Sequence, residues 1–382
     1  MMTPPPVLSA RRTELPLPAV APGTRRALTV LRFGTPGARP KAYLQAGLHA
    51  DELPGMLTLR HLAARLAEAE DRGEIAGEII VVPVANPIGL DQRINGFLMG
   101  RYDQTTAGNY NRDYPDLAAL IGDSLAGRLG TDAAANVATI RAAMAEALAG
   151  PEPLSEVDAL RHRLVSLAFD ADIVLDLHAD NEAELHVYTG TPLWPDALDL
   201  ASELDARAVL LAEISGGNPF DEACSGPWWA LAKRHPEAVV PPACLAATIE
   251  LRSNDAVDDR LADDDARAIY RFLERRGVLS TGGSGVLPRL RCEATPLDAM
   301  QQLKATSAGV VSYRRHLGEF VYLGEIVADV IDPLGDSVPV AATTDGILFA
   351  RHSQTWAWPG KVIGKIAGAV PLPERRGRLL TD

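Results

Sequence analysis

Cysteine is scarce in this chain of 382 residues: there are three, Cys224, Cys244 and Cys292, widely spaced and odd in number. That excludes a disulfide framework and a CxxC metal site. Long apolar runs are missing as well, and none approaches the roughly 20 residues that a membrane-spanning helix needs. In the opening MMTPPPVLSARRTELPLP, no apolar core follows the two arginines, so it does not read as a secretory signal. Basic residues are outnumbered, 37 Lys and Arg against 50 Asp and Glu, for a net charge of −13. A general phosphate-binding surface is therefore disfavoured, and nucleic acid with it. These deficits describe a cytoplasmic protein with reduced thiols that engages neither membrane nor nucleic acid.

What is present suits a globular enzyme. Apolar residues make up 47% and charged residues 23%, and the length allows one large core plus a smaller module. Residues 1–24 read as a proline-rich, irregular lead-in. RALTVLRFG (26–34), KAYLQAGL (41–48) and GEIIVVPVANP (77–87) read as strands, the last two apolar enough to be buried on both faces. Between them, Pro54, the leucines at 57, 59, 62 and 66, and Gly73 predict a helix with its start and stop. This strand–helix–strand order predicts a parallel sheet flanked by helices.

Further along, 116–168 predicts two or three helices, and 171–180, 184–190, 208–215 and 244–253 predict strands. A helix follows over 258–277, then the linker-like LSTGGSG (279–285). Beyond it, short alternating strands punctuated by glycine predict a small all-β, barrel-like module. The expected organisation is an α/β domain over 1–285, with a mixed, largely parallel sheet, and a β module over 286–382.

AGLHADELPG (46–55) places His49 and Glu52 three apart, between a buried strand and a helix. Ligand sites in α/β sheets form at the carboxyl ends of strands. His178, in VLDLHAD, also ends an apolar strand. Two imidazoles and a carboxylate with an open fourth position make a usual catalytic zinc set. Asp176, two before His178, shares its strand face and would orient the imidazole. The competing explanation is a chance HxxE pair and an ordinary hydrogen-bonded strand histidine.

GNYNRDYP (108–115) sets the amide of Asn111 beside the guanidinium of Arg112, a pair suited to gripping a carboxylate. Glu250 is a charge inside the otherwise apolar ATIELRS, costly unless it has a partner or a task. It is either a general base for water or half of an ion pair with Arg252 on the same strand face. Cys224 and Cys244 have no histidine close in sequence. GGSG (282–285) lacks the second spaced glycine of a serine nucleophile elbow, because Val286 stands there.

In this order, HADE (49–52), NP (86–87), GRYD (100–103), NYNR (109–112), DLH (176–178) and IEL (249–251) resemble the zinc carboxypeptidase clan. The likeness is closest to its succinylglutamate desuccinylase/aspartoacylase branch. The resemblance implies one zinc ion per chain held by His49, Glu52 and His178. It implies Glu250 as general base, Asn111 and Arg112 as binders of a substrate carboxylate, and Arg101 as stabiliser of the tetrahedral oxyanion. Arg101 stands ten positions before Asn111, more than that branch leads one to expect, and Arg93 is the fallback. The implied reaction is hydrolysis of the amide bond of a small N-acyl amino acid, with a carboxypeptidase acting on short or modified peptides as the alternative. A homo-oligomer stays open. Tyr313 and Tyr322 of the β module are candidates to reach substrate, with core packing as the competing role. Asp180, Glu182, Asp221 and Glu222 favour a substrate with a positive amino group if they face the pocket; the competing reading is a solvated acidic loop. His186 reads as a strand histidine rather than a fourth ligand.

Overall fold

The computed structural model describes residues 11–283, 285–377 and 379–380. Its central sheet has nine strands: β1 (Arg12–Pro16), β2 (Ala27–Gly34), β3 (Lys41–Ala46), β4 (Glu78–Val82), β7 (Ile173–Asp180), β9 (His186–Gly190), β10 (Ala208–Ala212), β11 (Leu245–Ser253) and β12 (Ala294–Pro296). The spatial order is β1-β2-β4-β3-β7-β11-β9-β10-β12. A short hairpin, β5 (Arg93–Ile94) with β6 (Phe97–Leu98), and the two-residue β8 (Glu182–Ala183) lie outside it.

The sheet is mixed and largely parallel. β4, β3, β7 and β11 run parallel in sequence of neighbours, as do β9, β10 and β12. β9 opposes β11, and β1 and β2 form an antiparallel edge. Every residue of β3 and β4 is buried, as their apolar runs demand. β1 corrects the expectation of an irregular lead-in. RTELP pairs with β2 through five residues, and an exposed edge is where a strand tolerates proline.

Helices cover both faces. Pro54–Asp71 has proline in its first turn, and its leucines 59, 62 and 66 join the core beneath the sheet. Leu117–Ile121, Ala133–Leu148, Glu156–Ala168 and Asp259–Arg275 start on Asp116, Asp132, Ser155 and Asp258, whose side chains accept first-turn amides. Phe220–Arg234 is a helix where the sequence reads as a loop-like stretch carrying Asp221 and Glu222. Its apolar side packs Phe220, Cys224, Trp228 and Leu231 into the second core face. Among the described residues no helix is long and apolar enough to cross a membrane.

The C-terminal region is antiparallel β. β13 (Met300–Lys304), β15 (Phe320–Val321), β18 (Gly346–Arg351) and β20 (Val362–Gly368) form one sheet. β14 (Gly309–Tyr313), β16 (Ile326–Ile331), β17 (Ser337–Ala341) and β19 (Trp356–Ala357) form the other. Val311, Val321, Val330, Leu348 and Ile363 fill the space between them. β8, directly after the site-bearing β7, adds itself to the edge of β18. Arg351 donates to both carboxylate oxygens of Glu182, and Lys365 bonds Asp180. These contacts clasp the β module over the carboxyl ends of the central strands.

Candidate active site

Three neighbouring parallel strands carry the candidate residues. His49 lies three residues past β3, His178 lies near the end of β7, and Glu250 lies in β11 directly beside His178 in the register. Gly47, at φ +68°, turns the chain out of β3 toward His49. Asn86 braces the same turn: its amide donates to the Leu48 carbonyl and accepts from Gly89.

Here the chain brings together residues far apart in sequence. Potential ligand atoms of His49, Glu52 and His178 lie within 4.8 Å of one another, all buried. His49 Nδ1 is 3.0 Å from Glu52 Oε1, and His178 Nδ1 is 2.7 Å from Glu52 Oε2. The opposite ring nitrogens are held from outside. His49 Nε2 lies 2.9 Å from Asn109 Oδ1, and His178 Nε2 lies 3.0 Å from Asp176 Oδ2. Asp176 is fixed in turn by Gln45, and Gln45 by Tyr43. Donation of His49 Nε2–H to Asn109 turns its Nδ1 lone pair inward, and Asp176 holds the His178 ring with Nδ1 on the same side.

The electrostatics separate the two histidines. Burial, then the Arg101 guanidinium, push the His49 imidazole down to about 4, so it stays neutral. Burial opposes ionising Glu52, but the two histidines outweigh it and hold the carboxyl well below its usual range. Burial also opposes charging His178, but Asp176 and Glu52 outweigh it and raise its pKa well above the ordinary value. A concentrated negative site facing imidazoles is what a divalent cation neutralises.

Arg101 sits at this centre, its Nη1 3.1 Å from Glu52 Oε1 and 3.2 Å from His49 Nδ1. Gly100 places it there. The Gly100 carbonyl accepts from Ala50, and a Cβ on Gly100 would stand 2.5 Å from the Asp51 nitrogen. Arg93 lies on the exposed hairpin, with Asp91 3.9 Å away. Asn111 and Arg112 are buried, and both line a cavity of about 100 Å³ with His49, His178 and Glu250. Asn111 Oδ1 accepts from Phe220, its Nδ2 lies 3.4 Å from His178 Nε2, and its carbonyl accepts from Arg112.

Glu250 does not pair with Arg252. The strand bulges after Glu250, Arg252 takes φ +65°, and its guanidinium forks onto Asp265 at 2.8 and 3.0 Å. Glu250 Oε2 is buried with no hydrogen-bond partner among the described residues. Burial, then the Glu52 charge, push this carboxyl up to about 8.

Other candidates separate clearly. Tyr313 spends its hydroxyl on the carbonyls of His352 and Ile363, and Tyr322 is exposed; neither lines the site cavities. His186 packs edge-on against Phe349 and Tyr188 and bonds the Glu184 carbonyl. Asp180 and Glu182 are engaged by the β module. Asp221 and Glu222 are not a solvated loop: they open the helix Phe220–Arg234 and line the inner cavity. Cys224 and Cys244 are free and buried, and burial first of all raises both thiols, Cys244 to about 12. Neither is a nucleophile at neutral pH. Ser284 lies outside the described residues.

Two residues escaped the sequence reading. Asn109 was quoted inside NYNR without a role, although its position two before Asn111 was the available signal. Lys365 lines the inner cavity from the β module and gives no local signal at all.

Residues 38–148 match the succinylglutamate desuccinylase/aspartoacylase catalytic domain. Over this segment the chain resembles that family. That family consists of deacylating hydrolases, and the matched segment contains His49, Glu52, Arg101, Asn111 and Arg112. A succinylglutamate desuccinylase/aspartoacylase family structure from Shewanella amazonensis superposes with a TM-score of 0.80 at 26% identity, covering 93% of this chain and 98% of that one. One from Shewanella frigidimarina gives 0.80 at 24%, covering 94% and 96%. The product-bound ectoine utilization protein from Ruegeria pomeroyi shares the fold, at 0.64 and 18%, covering 94% and 95%. A sequence search of curated proteins matches none.

Proposed function

We propose that the chain is a zinc-dependent amidohydrolase that cleaves a small N-acyl amino acid or a related carboxylate-bearing amide. One observation carries this: ligand atoms of His49, Glu52 and His178 converge within 4.8 Å, with the far ring nitrogens facing Asn109 and Asp176. The donor set fits a divalent cation with N and O ligands and leaves a position for water or substrate. Zinc held by His49, Glu52 and His178 would supply a Lewis acid and make a nearby water acidic near neutral pH.

The chain's own residues do the rest. Glu250, unpaired and beside His178, takes a proton from water onto its carboxylate and returns it to the departing amine. The cationic neighbourhood that a bound metal creates lowers its pKa toward the working range. Arg101 sets a fixed guanidinium where negative charge develops on the carbonyl oxygen. Arg112 draws the substrate carboxylate into the inner cavity, orienting the amide.

The test is zinc content after purification without added metal, beside hydrolysis of a panel of N-acyl amino acids. About one zinc per chain, absent from His178→Ala, together with release of the free amino acid, supports the reading. A wild-type protein that neither retains nor takes up zinc overturns it.

A further inference from the structure

The site opens into two compartments of very different size. The inner cavity holds about 100 Å³, and an outer cleft between the catalytic strands and the β module holds about 780 Å³. Arg101 and Lys365 line both, so they form the neck between them. His49, His178 and Glu250 face the inner side, and Glu52 faces the outer. A bond cleaved at this centre leaves one fragment on each side of the neck.

The volumes decide how large each fragment is. The inner cavity has about an eighth of the outer cleft's volume. The outer cleft falls within the roughly 300–1,000 Å³ of a pocket that encloses a drug-sized ligand. Chemistry decides which end goes where. Buried Arg112 is on the inner side and suits a carboxylate.

The outer cleft presents Ile94 (49% exposed), Met99 (46%), Tyr102 (37%) and Trp358 (53%). Three belong to the segment that carries Arg101, and the fourth belongs to the β module. Several charges in the cleft are already committed to the protein. Arg351 is bonded to Glu182, Lys365 to Asp180, Lys361 to the carbonyls of Gln354 and Trp356, and Asp103 to Thr105 and Thr106. Lys304, Asp51 and His352 also line the cleft, but its exposed surface is more apolar than polar, and Ile94, Met99, Tyr102 and Trp358 supply the large apolar contacts.

We infer that the outer cleft is an acyl-group site: the substrate joins a small, carboxylate-bearing amine, seated inside, to a larger apolar acyl group lying across Ile94, Met99, Tyr102 and Trp358. This rests on the amidohydrolase reading above and adds the shape of its substrate.

The zinc-loaded full chain is assayed with N-acetyl-, N-butyryl- and N-hexanoylglycine and with N-acetylphenylalanine. A fully buried methylene contributes about fourfold, so the four added from acetyl to hexanoyl raise kcat/KM by about 10- to 250-fold depending on how completely the cleft buries them, and N-acetylphenylalanine is the poorest substrate. Trp358→Ala and Met99→Ala bring the hexanoyl-to-acetyl ratio toward one, an effect that general loss of folding would not produce. A flat acyl series, or a preference for N-acetylphenylalanine, overturns the inference. Calorimetric binding of the same N-acylglycines to Glu250→Gln separates the two readings. Affinity that grows with acyl length upholds the acyl site even if no substrate is cleaved, and affinity independent of length removes it.

Discussion

The Oδ1 of Asn109 lies 2.9 Å from Nε2 of His49, on the side of the ring that faces away from Glu52. Asp176 Oδ2 faces Nε2 of His178 at 3.0 Å as an ion-pair partner. Both partners act on the tautomer and angle of an imidazole rather than as ligands. Asn109→Ala and Asp176→Asn are expected to weaken zinc binding about 10–100-fold, while Glu52→Gln and His178→Ala abolish stoichiometric zinc. Competition with a chromophoric chelator reads both effects.

Glu250→Gln is expected to retain one zinc per chain and to lose roughly 10²–10⁴ in kcat, the usual contribution of a positioned base. Zinc content and steady-state kinetics on one preparation check it. A variant with full metal and full activity removes Glu250 from the mechanism.

Arg101 and Arg93 separate by geometry. Arg101 Nη1 is 3.1 Å from Glu52, whereas Arg93 lies on an exposed hairpin. Arg101→Met should cost about 10²–10³ in kcat, the scale of a lost oxyanion donor, and Arg93→Met should change kcat less than twofold. Gly100→Ala should approach the Arg101 loss with zinc retained, because its Cβ would meet the Asp51 nitrogen at 2.5 Å and push Arg101 off its place.

His186 makes stability fall on the acid side. Burial pushes its imidazole down to about 4 from an ordinary value near 6.5. The folded state therefore resists a proton that the unfolded chain accepts. Its contribution is complete above pH 6.5 and is lost as pH falls from there through about 4, on the order of 3 kcal/mol in all. His186→Phe, packed against Phe349 in the same place, should flatten that part of the curve. Urea unfolding at pH 7.5, 6, 5 and 4.5 measures the difference between the two proteins.

Legibility in the sequence followed distance along the chain. His49 and Glu52 are three apart at a strand end, so their proximity is local. His178 was legible because it ends an apolar strand, where ligand sites of α/β sheets form. Glu250 stood out because a charge inside a buried strand is costly, but its two readings could be separated only when the bulge turned Arg252 onto Asp265. The helix Phe220–Arg234 was misread because paired glycines before it and a proline within it are loop signals, while its burial comes from packing on the sheet. Lys365 was invisible: its partner Asp180 is 185 positions away, and β pairing across that distance leaves no periodicity.

The sequence by itself determined the alternation of buried strands and amphipathic helices, the chemistry of each candidate group, and its place at a strand end, because these follow from hydrophobic period and local chain geometry. The tertiary structure alone decided that β3, β7 and β11 lie side by side, that Arg101 rather than Arg93 reaches the centre, and that the β module closes one wall of the cleft. Those outcomes depend on strand order and on contacts between distant segments, where the free energy belongs to the packed whole and to no short stretch of the chain.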